Sequence, residues 1–310
     1  MGFWKTLFQV CSGFDIFLRL LECRFWKAFF HFHALILLLS FLMAWGHSCL
    51  LRPKIDSITG SLFKEIGSLR FSGNKGIRTA VNPDVKQSYI LDDFLRFDYY
   101  PGKTLSESDM KNWTTPFGVI VMDNGLVVWC ENYADSGRGS YMAAPLLMEQ
   151  NPMKAESIQS GLSAAALYEY LKTNLEYRPG SKIQPILPEA DEKLVREYLA
   201  SCLGLLLFFG VLFSCLVLAG MTILFFLLMQ LVFFAGAERR PNFRQVLVIL
   251  IYMTFPALVI ASLYSFFMIR LVSPQTVFFI VYFIYYIAIF RKIRLFLNPP
   301  REPEFRDDDL

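Results

Sequence analysis

Four stretches of the chain run for bilayer-compatible lengths without a single Lys, Arg, Asp or Glu. The first, Ala28 to Leu51, has 24 residues and as a helix would reach roughly 36 Å, enough to cross a membrane once with some tilt. The second, Tyr198 to Ala237, has 40 residues, roughly 60 Å of helix against a hydrocarbon core of about 30 Å. It is one long helix or a hairpin of two. Its middle offers Gly210 and Gly220 but no Pro, Asn or Asp to build a turn, so the single helix is favoured. The third, Val246 to Ile269, carries Pro256 as a packed kink. The fourth begins at Ser273-Pro274, an N-cap followed by proline at the first helical position, and runs to Phe290. Arg291 and Lys292 at its end can snorkel to the headgroups.

Between the first two stretches the pattern changes. Ile55, Ile58, Leu62, Ile66 and Leu69 recur at helical spacing directly after Pro53. Leu95, Phe97 and Tyr99 alternate with Arg96 and Asp98 as in a strand. Phe117 to Met122 and Leu126 to Cys130 flank Asp123-Asn124-Gly125, a hairpin signal. After Pro152 the period is helical again through Ile158, Leu162, Tyr168, Leu171 and Leu175, until Pro179-Gly180 ends it. Pro188, with Glu189, Asp191 and Glu192 behind it, predicts the start of a helix that continues into the second apolar stretch. At the N-terminus, Phe3 to Trp26 mixes aromatic and basic residues and reads as an interfacial helix on the cytoplasmic leaflet, anchored by Trp4 and Trp26.

Composition supports lipid contact: 55% of residues are hydrophobic, 18% are charged, and the mean hydropathy is +0.40. A soluble domain of this size carries about a quarter charged residues. Charge also sets an orientation. Of the 13 Lys and Arg outside residues 52–197, four precede the first span, three follow the second and five follow the fourth, so 12 share one side. By the positive-inside rule that side is the cytoplasm. The expected fold class is membrane α-helical, with four transmembrane helices and an α+β extracytoplasmic domain inserted between spans 1 and 2. The expected boundaries are a cytoplasmic interfacial segment 1–27, span 28–51, outer domain 52–197, long span 198–237, cytoplasmic loop 238–245, span 246–269, outer loop 270–273, span 274–290 and cytoplasmic tail 291–310. Both termini are placed inside, and the Asp307 to Asp309 tail is solvated.

The inserted segment has 17 Lys and Arg against 19 Asp and Glu, a net charge of −2, which points to no nucleic-acid partner. It contains no histidine, because His31, His33 and His47 all lie in or beside the first span. That excludes a Ser-His-Asp, Cys-His or His-rich zinc site there; no catalytic residue, cofactor or metal is expected. His31 and His33 are expected to sit at the inner boundary as polar tips. Asp92, Asp93, Asp98, Glu107 and Asp109 form an acidic cluster suited in principle to acid–base or cation chemistry. The spacing matches no EF-hand loop, and a strand edge or loop surface accounts for it. Cys130 reads as a packed side chain. Cys49 and Cys202 fall at similar depth near the outer ends of their spans, and whether they form a disulfide stays open. The spans lack interior ionisable residues, which argues against an ion-coupled carrier; their polar exceptions include Gln230 and the stretch Tyr282, Tyr285, Tyr286. Gly210 and Ser214 give one small-xxx-small spacing for close helix packing, and Asn112-Trp113-Thr114 is a glycosylation sequon by pattern.

Phe243-Arg244-Gln245 leading into the third span, Tyr252-Met253-Thr254-Phe255-Pro256 within it, and Val119 to Leu126 in the insert resemble an uncharacterised bacterial four-span membrane family, some of whose members are labelled maltodextrin-utilisation proteins. The resemblance implies the same layout and an envelope or uptake accessory role; it transfers no catalytic or binding residue. The expectation is a non-enzymatic multi-pass protein of the bacterial cytoplasmic membrane, in contact with the lipid bilayer, whose outer domain binds an envelope or transport partner. The alternative is a transport component that moves or gates a small solute between the spans. The oligomeric state stays open.

Overall fold

The computed structural model describes residues 2–72, 76–102, 104–111, 115–123, 125–131, 140–147, 159–175, 189–235, 238–267 and 271–299. In chain order the elements are α1 (Phe3–Ser12), α2 (Ile16–Leu20), α3 (Phe25–Ile66), β1 (Leu69–Ser72), β2 (Gly76–Thr79), β3 (Gln87–Asp92), β4 (Leu95–Tyr100), α4 (Glu107–Lys111), β5 (Phe117–Met122), β6 (Gly125–Glu131), β7 (Ser140–Leu147), β8 (Gln159–Ser163), α5 (Ala164–Leu175), β9 (Glu189–Ala190), α6 (Glu192–Phe233), α7 (Phe243–Phe266) and α8 (Pro274–Leu297). Four of them, α3, α6, α7 and α8, are long and apolar enough to cross a membrane. The chain divides into two compact units, residues 1–50 with 202–310, and residues 51–201.

The first unit is helical and centres on α7, whose side chains are continuously buried from Val248 to Leu258. The helix continues through Pro256, although a proline there leaves the Tyr252 carbonyl without its intrahelical donor. Gln245 Oε1 accepts from the Asn242 N–H at 2.9 Å at its start, one orphan donor satisfied in the manner of a capping box. Ser273 caps α8 as expected, its hydroxyl accepting from the Thr276 N–H at 3.2 Å, but α8 continues past Phe290 to Leu297. An aromatic seam joins α6 to α8: Phe226 lies 4.9 Å from Tyr282 and 4.5 Å from Tyr286, ring centre to ring centre. The N-terminal segment departs from the expected single helix. The chain is extended at Gly13, and α1 and α2 are separate. Both bury one face in the helical core through Val10, Ile16, Phe17 and Leu20, and Tyr285 donates to the Cys11 carbonyl at 3.3 Å. Trp4 and Trp26 remain exposed.

The second unit is α+β. Its main sheet has the order β3-β4-β5-β6-β7-β8, and a smaller one the order β2-β1-β9. The expected hairpin is β5–β6, in register from Phe117↔Cys130 to Met122↔Gly125; Asn124 itself lies outside the described residues. All other pairs in the main sheet are antiparallel except β4–β5, which is parallel; α4 sits within the crossover between them. One face of this sheet packs on α4 and α5 through Ile120, Met122, Val127, Trp129, Met110, Leu167 and Leu171. The other packs on the end of α3 and the small sheet through Phe97, Tyr99, Val121, Phe63, Ile66 and Ile77.

Three sequence expectations are corrected here. Leu69 is not on the helix after Pro53: α3 passes unbroken through Pro53 but stops at Ile66, where Gly67 takes a left-handed φ of +76° and its N–H closes on the Phe63 carbonyl at 2.9 Å. Leu162 is on strand β8, opposite Tyr141, and the helix begins only at Ala164. Glu189 is not in a first helical turn. Glu189 and Ala190 pair with Arg70 and Leu69, and α6 starts at Glu192 behind Asp191, whose carboxylate accepts from the Leu194 N–H at 2.9 Å. Ile158, Pro152, Pro179-Gly180, Pro188 and the Asp307 to Asp309 tail lie outside the described residues.

Candidate docking face of the inserted domain

The five carboxylates singled out in the sequence do not converge on an open site. Asp92 pairs with Lys54 at 2.8 Å and accepts from the Asp93 N–H at 2.8 Å; the Lys54 ammonium, then that N–H, hold its carboxyl below the ordinary range. Asp98, expected on a surface, is buried. Arg96 Nε donates to its two oxygens at 2.9 and 2.7 Å, and Ser88 donates to it as well. The alternation of Arg96 and Asp98 with Leu95, Phe97 and Tyr99 therefore does not mark a solvent face. Both charges lie on the α5 side of the sheet, in the same row set as Ile120 and Val127. Asp109 accepts from Lys86, from the Ser106 N–H at 3.0 Å and from the Ser106 hydroxyl at 2.8 Å. Burial pushes its carboxyl up, but these donors outweigh it and hold the group low. Burial pushes the Tyr100 phenol well up, and the nearby Asp98 and Asp109 charges add to that. Asp92, Asp98 and Asp109 each face a cation, so this network ties strands together, while Asp93 stays exposed. The side chain of Glu107 lies outside the described residues, as does the sequon Asn112-Trp113-Thr114.

Sequence reasoning missed Asp123 as more than a turn residue. It is buried, takes the Gly102 N–H at 3.0 Å and the Arg78 guanidinium on its carboxylate, and takes the Ile77 N–H at 2.9 Å on its carbonyl. It thereby fastens β2 to the hairpin; the signal was an Asp opening an Asn-Gly turn. A cleft of about 530 Å³ between the end of α3 and the start of α6 is lined by Lys64, Lys193 and Arg196 and by Asp191 and Glu192. Arg196 is already engaged with Asp56 at 3.7 Å and Glu192 at 3.8 Å.

The distinctive surface is apolar. Register places Leu95, Phe117, Cys130 and Met142 in one row across β4 to β7, and Phe97, Val119, Val128 and Ala144 in a second row two residues away, hence on the same face. The small sheet and α3 cover this face at Phe97, Tyr99 and Val121. Further along it, Phe117 is 47% and Val128 41% exposed, and Cys130, Met142 and Ala144 are half-buried. Neither row contains a charge. Cys130, expected as a packed side chain, sits in the middle of this open stretch.

In the helical unit, His31 Nδ1 lies 3.0 Å from the Tyr252 hydroxyl, which also lies 3.8 Å from Cys23 Sγ. His33 Nδ1 turns to the Phe29 carbonyl at 2.9 Å. Tyr282 donates to the Leu250 carbonyl at 3.1 Å. Gln230 is buried with both amide atoms lacking a hydrogen-bond partner among the described residues, and so is the Tyr286 hydroxyl. Gly210 and Ser214 are exposed, and nothing lies within 4 Å of a Cβ placed at Gly210, so Gly210 makes no close packing among the described residues. Cys49 and Cys202 are both free and exposed. Among the described residues no group of three or more His, Cys, Asp or Glu could hold a metal ion. Comparisons of the chain with family models, with curated proteins and with solved structures each return no match.

Proposed function

We propose that the chain is a multi-pass protein of the bacterial cytoplasmic membrane, with both termini inside, whose domain 52–197 lies outside and docks an apolar surface of an envelope or transport protein without catalysing a reaction. Four membrane-length apolar helices and the 12 of 13 outlying Lys and Arg assigned to one side support the placement. The single observation behind the docking role is the uncharged row set around Phe117 and Val128, left open on a sheet whose other face packs on α4 and α5. Apolar rows open to water on a sheet of this kind mark a contact surface.

The test is capture by position. A photo-crosslinking residue at Cys130 in the full chain should yield one discrete adduct in membranes, and Phe117→Asp with Val128→Asp should abolish it. Each anchor lost from a desolvated centre weakens binding by about 2 kcal/mol or more, roughly thirtyfold. A complex that survives both substitutions in a folded chain would refute the role. A second reading, a solute path between the spans, draws on the unpartnered amide of Gln230. Solute flux through liposomes holding this protein alone, lost in Gln230→Leu, would favour it.

A further inference from the structure

The backbones of Arg239 and Arg294 meet at Asn298 at one end of the helical unit, with Arg240 next in sequence. Asn298 follows the last turn of α8, and its backbone N–H closes on the Arg294 carbonyl at 2.9 Å. Its side chain reaches across to the loop after α6: Oδ1 accepts from the Arg239 N–H at 2.9 Å, and Nδ2 donates to the Arg239 carbonyl at 3.0 Å. This two-way amide clasp fixes the backbone of Arg239 beside the α8 end, so Arg239, Arg240 and Arg294 occupy one corner. All three are exposed, and none is in an ion pair with a described residue. Some other cations do find a carboxylate, as Lys292 does with Asp15 and Arg96 with Asp98. Exposed apolar side chains stand near these arginines in sequence, Phe243 at the start of α7 and Leu295 and Phe296 on the last turn of α8.

We propose that this corner binds an anionic phospholipid of the bilayer, its phosphate held by Arg239, Arg240 and Arg294 and its acyl chains lying along Phe243, Leu295 and Phe296. Guanidinium forks match phosphate oxygens, and no ion pair with a described residue neutralises these arginines, the carboxylate that precedes them in the loop being Glu238. A zwitterionic lipid brings an ammonium group that cancels much of the attraction, so the site selects for net negative charge. Asn298 acts as a positioning residue: it carries no charge and places those that do. The inference rests on the membrane reading above.

The test is lipid titration of the full chain in neutral detergent, followed by native mass spectrometry, with phosphatidylglycerol or phosphatidylcholine added stepwise. At about fivefold per basic residue at an anionic surface, three arginines give the first phosphatidylglycerol about a hundredfold preference. Arg239→Gln with Arg240→Gln should reduce that preference about twenty-five-fold. Asn298→Ala, which leaves every charge in place, should reduce it as well. Equal affinity for the two lipids, an undiminished preference in the double variant, or displacement by inorganic phosphate at matched concentration would overturn the proposal, the last because it leaves the apolar flank without a part. Incorporation into pure phosphatidylcholine nanodiscs is scored separately. A chain that enters them yet shows no lipid preference sinks this site alone, whereas one that does not enter them sinks the membrane reading.

Discussion

Gly118 and Trp129 face one another across the β5–β6 hairpin, and their closeness gives a quantitative prediction. A Cβ added at Gly118 would stand 2.5 Å from three atoms of the Trp129 ring, Cε2, Cζ2 and Nε1. Carbon atoms in contact need about 3.5 Å, so the ring or the strand must yield by roughly 1 Å. The ring has little room. It is 1% exposed and is packed edge-on against Tyr141, centroids 5.6 Å apart, in the core beneath α5. Overpacking of this kind costs about 1–3 kcal/mol. At 2 kcal/mol, Gly118→Ala lowers hydrogen-exchange protection of the slowest amides in 117–131 by about thirtyfold, measured by mass spectrometry on the full chain in detergent. Trp129→Phe vacates the clashing atoms, so Gly118→Ala added to it should cost at least 1 kcal/mol less than alone, a coupling that distant sites do not show. Unchanged protection in Gly118→Ala, or strict additivity in the double variant, would refute the packing described for this sheet face.

Other outcomes follow from single contacts. Asp109 has its carboxyl held low against the upward push of burial, so its contribution is present above the unfolded value near about 4 and fades as pH falls through the folded value. Acid unfolding curves of Asp109→Asn should therefore be flatter between pH 5 and 3 than those of the parent; parallel curves would contradict this. Ser273→Ala removes the cap on the Thr276 N–H and should lower thermal stability in detergent by about 1 kcal/mol. Gly210→Ala meets open space and should stabilise α6 by about 0.5–1 kcal/mol; destabilisation would show that Gly210 packs closely against another molecule.

What the sequence revealed depended on how local the cause was. The β5–β6 hairpin and the Ser273-Pro274 start were legible because turn and cap chemistry reside in adjacent residues. The long helices were legible because an uninterrupted apolar run of such length has a simple compositional signature. Leu162 was misassigned to a helix because its strand partner, Tyr141, is 21 positions away in sequence and pairing overrode a helical period. Glu189 was misassigned for the same reason, its neighbours being Arg70 and Ser68 from the far side of the domain. Asp98 looked solvent-facing because alternation with aromatic residues reports two faces but not which is covered, and here both are. The open apolar rows were not legible at all: the sequence puts Phe117 and Val128 on hairpin strands, and only register and burial show where the covering layer ends.

The central claim is the sidedness of the chain, and residue-by-residue labelling addresses it directly. In a background lacking the six native cysteines, Asp93→Cys and Arg240→Cys are each exposed positions available to a membrane-impermeant maleimide. In cells whose outer barrier has been opened but whose cytoplasmic membrane is intact, the account predicts labelling at position 93 at once and at position 240 only after that membrane is lysed. Labelling of position 240 without lysis, or protection of position 93, would contradict it.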